Sequence, residues 1–189
     1  MDNVIASIEV NNKRLTISYD DFDDNPRDFA ENLGTMACFH RRYEIGDPTH
    51  RNEDPLEFQD WVTTSKEIAK YYPIYLYDHS GLTISTQPFN DRWDSGLLGY
   101  IYVTKERVRK EYGVKKISSK LLDKVSEILL AEIEEMDCYL RGEVYCVCTE
   151  ENEEVVDSIC GIYGYDNLKQ YLTNELPKEF QPLLELLDL

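Results

Sequence analysis

Three short strings hold the side chains best suited to chemistry. Cys38-Phe39-His40 offers a thiol and an imidazole two positions apart, and Asp78-His79-Ser80-Gly81 an imidazole beside a carboxylate; Asp91-Arg92-Trp93-Asp94-Ser95-Gly96 adds two more carboxylates. Alternate residues of an extended segment share a face, so Cys38 and His40 are expected to reach one ion together. Thiolate, imidazole and carboxylate are zinc ligands, and His40 and His79 with Asp91 and Asp94 would complete a four-ligand site if their loops converge. Such a zinc would be structural, holding loops that contain few aliphatic residues. A catalytic ion, with Asp78, His79 and Asp94 near it, would also need an open coordination position and a pocket. The same histidines equally fit hydrogen-bonding roles at strand ends, satisfied by Asp or by backbone groups. His50, in a polar loop between Pro48 and Pro55, is expected to be exposed.

Other reactive signatures are absent from the sequence. It has no Gly-rich phosphate loop, no nucleophile elbow, no HExxH and no paired CxxC, so the chain is not expected to be an enzyme. The five cysteines, Cys38, Cys138, Cys146, Cys148 and Cys160, are an odd number, and no basic-then-apolar leader precedes them. Reduced thiols and a cytoplasmic setting are therefore expected. Cys146 and Cys148 would share a strand face with Cys160 opposite, either as a thiol cluster or as small buried hydrophobes.

These strings must be positioned by the elements around them. Val4 to Val10 and Arg14 to Tyr19 read as strands joined by a tight turn at Asn11-Asn12-Lys13, since Asn tolerates positive φ. Pro26 opens a short helix to Leu33, and Thr35 to Tyr43 reads as a strand. Asp54-Pro55-Leu56-Glu57 gives the clearest helix start, as N-cap, N1 proline and acidic N3. That helix is predicted to run to about Lys70, with Leu56, Trp61 and Ile68 on its buried side. Strands are predicted at Ile74 to Tyr77, Leu82 to Thr86 and Leu98 to Val103, the centre of a sheet. Thr104 caps a helix ending at Gly113. A longer helix from Ser118 or Ser119 carries Leu121, Leu122, Val125, Ile128, Leu129 and Ile133 at helical spacing. Its other positions are acidic: Asp123, Glu127, Glu132, Glu134 and Glu135. A hairpin of Glu143 to Thr149 and Val155 to Tyr163, a helix from Asp166 to Leu176 and a leucine-rich tail complete the chain. Strands mixed with helices, without regular βαβ alternation, point to a single α+β domain over 1–189, with a mainly antiparallel sheet and flanking helices.

Charge bounds the partners. Against 37 Asp and Glu stand 20 Lys and Arg, a net charge of −17, which repels phosphate backbones and anionic membranes. Direct nonspecific nucleic-acid binding is not expected, and no apolar run approaches the length of a membrane span. The same field attracts a basic protein surface and speeds that encounter. The early run Asp20, Asp21, Asp23 and Asp24, the long helix and the turn Glu150 to Glu154 supply the acids, with Asp123, Glu127, Glu134 and Glu135 as candidate contacts on the helix. They fit either a phosphate-imitating face or an ordinary solvated surface. One basic island, Lys105 to Lys120, interrupts them; interspersed Glu106 and Glu111 suit a solvated helix face.

The strings Asn32 to Tyr43, Tyr77-Asp78-His79-Ser80-Gly81, and Trp93-Asp94-Ser95-Gly96 with Gly99-Tyr100-Ile101-Tyr102-Val103 resemble a family of small proteins encoded by phages and mobile elements of Gram-positive bacteria. The resemblance covers roughly Asp24 to Gly164. In that family a cysteine often precedes the Trp-Asp-Ser-Gly string, where this chain has Asp91 and Arg92; a Cys-to-Asp exchange is compatible with a metal-ligand position and equally with an uncommitted loop. The resemblance implies a phage accessory role, which includes inhibition of host defence nucleases such as the CRISPR effector Cas9. The partner it implies is a basic surface of such an effector.

Overall fold

The structure, a computed structural model, describes residues 3–21, 25–29 and 31–184. Asp23 and Asp24 of the early acidic run, and the leucine-rich tail beyond Leu184, lie outside the described residues. The fold is α+β, with 34% helix and 34% strand, and the strands form two antiparallel four-stranded sheets where one was expected. The chain's contacts fall into two compact units, Met1–Asp24 with Gly142–Leu189, and Asn25–Arg141.

The first unit holds β1 (Val4–Val10), β2 (Lys13–Tyr19), β7 (Val144–Glu151) and β8 (Glu154–Tyr163), ordered β1-β2-β7-β8, followed by α5 (Tyr165–Asn174) and α6 (Gln181–Leu184). Two-residue turns close both hairpins. Asn11 and Asn12 have φ of 52° and 67°, Asn152 and Glu153 54° and 66°, the positive-φ pairs that match the twist of a hairpin. The two turns are tied together, the Asn152 N–H donating to the Asn12 carbonyl at 2.8 Å. Period-two alternation then sorts the side chains. Leu15, Ile17, Tyr145, Val147 and Ile162 pack against Leu168 and Leu172 of α5 and against Leu176, Phe180 and Leu183. The opposite face carries polar cross-strand rows, such as Glu9-Arg14-Glu150 and Ser7-Thr16-Cys148-Ser158.

The second unit is built on β3 (Thr35–Cys38), β4 (Ile68–Asp78), β5 (Leu82–Ser85) and β6 (Ser95–Thr104), ordered β3-β6-β4-β5. Around the sheet run α1 (Pro26–Phe29), α2 (Pro55–Thr64), α3 (Lys105–Tyr112) and α4 (Ser119–Leu140). Alternation sends Met36, Ile101 and Val103 to the face covered by Val125, Leu129, Ile133 and Met136 of α4. Ala37, Tyr100 and Tyr102 go to the other face, beneath Phe58 and Val62 of α2. Gly99 permits this layering: a Cβ there would lie 2.0 Å from the Ala37 carbonyl oxygen of the paired strand.

Local capping is as expected at three helices. The Asp54 carboxylate accepts the N–H groups of Leu56 and Glu57, Thr104 Oγ1 accepts that of Arg107, and Ser118 Oγ that of Leu121. The α2 end differs from expectation. The helix stops at Thr64, Ser65 is extended, and Ile68 begins β4 instead of lining a helix. Pro73 lies inside this strand. It pairs with Tyr100 of β6, and because β5 joins β4 only from Tyr75 onward, its missing N–H falls where β4 has no second neighbour.

Glu132, grouped by its spacing with the exposed acids of α4, is buried. Its carboxylate takes a 2.8 Å ion pair from Arg27 and the N–H groups of Leu33 and Gly34. Arg27 also makes a two-pronged contact with Asp47, at 2.9 and 3.0 Å. Asp47 in turn accepts the Met36 N–H. Three distant segments are thereby fixed on α4.

Candidate functional site

β3 ends at Cys38, so strand alternation does not carry on to His40. Cys38 is buried in the α4-side core, and burial, reinforced by the Asp47 charge, pushes its thiol up to about 12. A thiol so desolvated holds its proton and is a poor metal ligand. His40 sits in the following loop, stacked on Tyr43 with ring centroids 4.8 Å apart. Its Nδ1 accepts the N–H groups of Arg42 and Tyr43, both at 3.2 Å, which holds the ring in the loop.

His79 and Asp94 are brought together across the ends of β4 and β6. His79 Nδ1 lies 2.9 Å from Asp94 Oδ2, and the Asp78 N–H donates to the Asp94 carbonyl at 2.7 Å. Asp91 serves the loop itself. Its Oδ1 accepts the N–H groups of Trp93 and Asp94, both at 2.8 Å, and these hold its carboxyl below the usual carboxylate range, that of Asp94 most. Asp78 is engaged by the guanidinium of Arg42 and the hydroxyl of Tyr43.

A cleft of about 260 Å³ gathers part of this set, lined by His40, Arg42, Asp78, Trp93 and Asp94 among others. Trp93, at its rim, is 94% exposed. The four expected zinc ligands do not assemble as a set. Among the described residues, the group of three or more candidate ligand atoms lying within 4.8 Å of one another is Asp20, Cys146 and Cys160. There the two sulfurs are joined as a disulfide, so neither is a thiolate ligand. His79 with Asp94 is an exposed imidazole–carboxylate dyad, able to move a proton at Nε2 but without the ligand number a structural zinc demands.

The disulfide also corrects the expectation of five reduced thiols. Cys146 of β7 and Cys160 of β8 are bonded across the hairpin, and Cys38, Cys138 and Cys148 remain thiols. His50 is corrected as well. Instead of standing exposed, it packs among Phe58, Trp61 and Tyr102, its Nδ1 2.9 Å from Glu53 and its Nε2 2.7 Å from the Tyr102 hydroxyl. Polar neighbours on both sides of the loop gave no sign of that aromatic socket.

Of the acids expected to meet a partner, Asp123, Glu127 and Glu134 are exposed on α4 and Glu135 is half-buried. They share their unit with the basic island, whose Arg107, Arg109, Lys110, Lys115, Lys116 and Lys120 are all exposed. That unit has 20 acidic against 16 basic residues, a net charge of −4. The other has 17 against 4, a net charge of −13, and between Gly142 and Leu168 it has seven acids and no Lys, Arg or His. The acidity is therefore concentrated in the β1-β2-β7-β8 unit, which charge counting over the whole chain obscures. No helix of the described residues is long and apolar enough to cross a membrane. Set against known families, curated proteins and solved structures, the chain matches no family model, no curated protein and no solved structure.

Proposed function

We propose that this chain is an acidic binding protein that engages a basic surface of a macromolecular partner. The reading rests on the net charge of −13 carried by one compact unit with only four basic residues. A field of that sign and density raises the on-rate for a positive surface and opposes approach of nucleic acid. The resemblance to phage accessory proteins supplies the class of partner: a host defence nuclease of the CRISPR–Cas9 type, with nucleic-acid loading blocked. Cleavage of target DNA by a purified Cas9-type effector, measured while this protein is titrated to saturation, tests the reading. Falling cleavage supports it, and unchanged cleavage ends it.

The His79–Asp94 dyad and its cleft favour a second reading, a metal-dependent enzyme acting on a nucleotide or phosphodiester, with Asp78, His79 and Asp94 near the ion. Its test is hydrolysis of a model phosphodiester in the presence of zinc, with His79→Ala as control. Activity lost in that variant supports it, and activity absent or unaltered removes it.

A further inference from the structure

The β8 strand is unusual for the edge of a sheet. It is ten residues long, terminal in the order β1-β2-β7-β8, and its first eight residues, Glu154 to Gly161, are all exposed. Three of these are large and apolar: Val155, Val156 and Ile159. Free edges are ordinarily blunted by charged side chains, above all Lys, by Pro, by bulges or by being short, because their unpaired N–H and C=O groups template another strand. β8 is long and has no Lys or Pro; what blunting it has comes from its acids, Glu154 and Asp157, and from two bulges, opposite Tyr145/Val147 and Thr149/Glu150. Its acids would welcome a basic strand where they would repel another acidic one. Between the bulges the register is continuous over Asp157, Ser158 and Ile159, opposite Thr149, Cys148 and Val147. The Cys146–Cys160 disulfide ties this stretch to β7, and Tyr171 of α5 donates its hydroxyl to Asp157. The edge is thus held in place before anything binds, which lowers the ordering cost of adding a strand.

We infer that β8 is the docking strand, and that it takes up an extended segment of a partner polypeptide in which basic and apolar side chains alternate. The bulge between Val155 and Asp157 puts Glu154, Asp157 and Ile159 on one face and Val155 on the other. The basic positions of such a segment therefore meet Glu154 and Asp157, with Glu151 and Glu153 close by in sequence, and its apolar positions run along the face of Val155, while main-chain hydrogen bonds continue the sheet. A second copy of this chain is the poorer occupant. Two β8 edges side by side set acids against acids, with no basic residue between Gly142 and Leu168 to relieve them, and like charges facing across a strand pair are destabilising. This inference rests on the proposed role as a binder of basic surfaces and locates its contact.

The test uses the full oxidised chain and two synthetic ten-residue peptides, one alternating Lys and Val, the other Glu and Val, followed by residue-resolved amide hydrogen exchange. The Lys–Val peptide is expected to slow exchange by about tenfold or more at those amides of Asp157, Ser158 and Ile159 that point away from β7, and to bind more weakly as salt rises, and the Glu–Val peptide to do neither. Val155→Lys, at an exposed position, is expected to weaken Lys–Val binding by about tenfold. Protection at β1 alone, protection without peptide at high protein concentration, or no protection in β8 overturns the inference. Inhibition of the nuclease that survives unchanged in Val155→Lys overturns the docking strand and leaves the binder reading standing; absence of inhibition by the native chain removes that reading itself.

Discussion

Replacing Glu132 with Leu would test how the second unit is held together. The carboxylate is the shared acceptor for Arg27 and for the N–H groups of Leu33 and Gly34, and the Arg27 side chain is 2% exposed. Removing it leaves a buried guanidinium with Asp47 as its remaining carboxylate and two buried N–H donors without an acceptor. Breaking one side of a buried ion pair costs about 3–5 kcal/mol, and each orphaned donor about 1–3 kcal/mol. These overlap, because Asp47 keeps part of the guanidinium's compensation and the loop relaxes toward water. A net loss of about 4 kcal/mol is the expected outcome. For a chain of this size that corresponds to a fall in Tm of roughly 10–15 °C by calorimetry. Glu134→Leu, two positions along the same helix and exposed, is the control and is expected to move stability by no more than about 0.5 kcal/mol. Arg27→Met should resemble Glu132→Leu, and the double variant should cost less than the two single losses added together. If Glu132→Leu and Glu134→Leu melt together, the Arg27-Asp47-Glu132 cluster does not hold α1 and the start of β3 onto α4.

Three further outcomes follow from the packing. Gly99→Ala places a methyl 2.0 Å from the Ala37 carbonyl, so β3 and β6 must part; a loss of about 1–3 kcal/mol by urea unfolding is expected, against little change for Gly96→Ala, where a Cβ meets nothing. The double variant Cys146→Ser/Cys160→Ser opens a covalent loop with a sequence separation of 14, costing about 3 kcal/mol on the chain-entropy model, and hydrogen exchange in β8 should accelerate. Glu135 is held above its usual pKa, first by burial and then by the Glu132 charge. A carboxyl raised in the folded state loses stability as pH rises through its folded pKa, so Glu135→Gln should stabilise the protein at pH 7, and the gain should vanish below the unfolded carboxylate range. A Glu135→Gln chain no more stable at pH 7 than at pH 3, relative to the parent, would contradict this.

Much of the architecture was legible because it is set by near neighbours in the chain. The caps at Asp54, Thr104 and Ser118 and the Asn turn at Asn11-Asn12 depend on residues a few positions apart. What was not legible depends on distant partners. Ile68 to Lys70 read as the end of a helix, yet Ile68 and Lys70 pair with Thr104 and Val103 of β6, and no local periodicity reports that ladder. Glu132 resembles its solvated neighbours until Arg27, far away in sequence, packs on it. At the candidate site the strings His79 and Asp94 do meet, because the ends of β4 and β6 are adjacent. Cys38 leaves the set because its strand ends there and buries it. The split of charge between the units was hidden for a related reason: Met1–Asp24 and Gly142–Leu189 lie at opposite ends of the chain and are brought together by the pairing of β2 with β7.

The most direct test of the acidic-binder account is a titration of guide-RNA binding by a purified Cas9-type effector, followed by fluorescence anisotropy of labelled guide, with three forms of this protein. The account predicts that the native chain displaces the guide and that displacement weakens as salt rises. Glu151→Lys/Glu153→Lys/Glu154→Lys, in the −13 unit, should lose displacement by at least about tenfold. Asp123→Lys/Glu127→Lys, on α4, should retain it. Guide binding unaltered at saturating native protein, or displacement lost only in the α4 variant, would contradict the account.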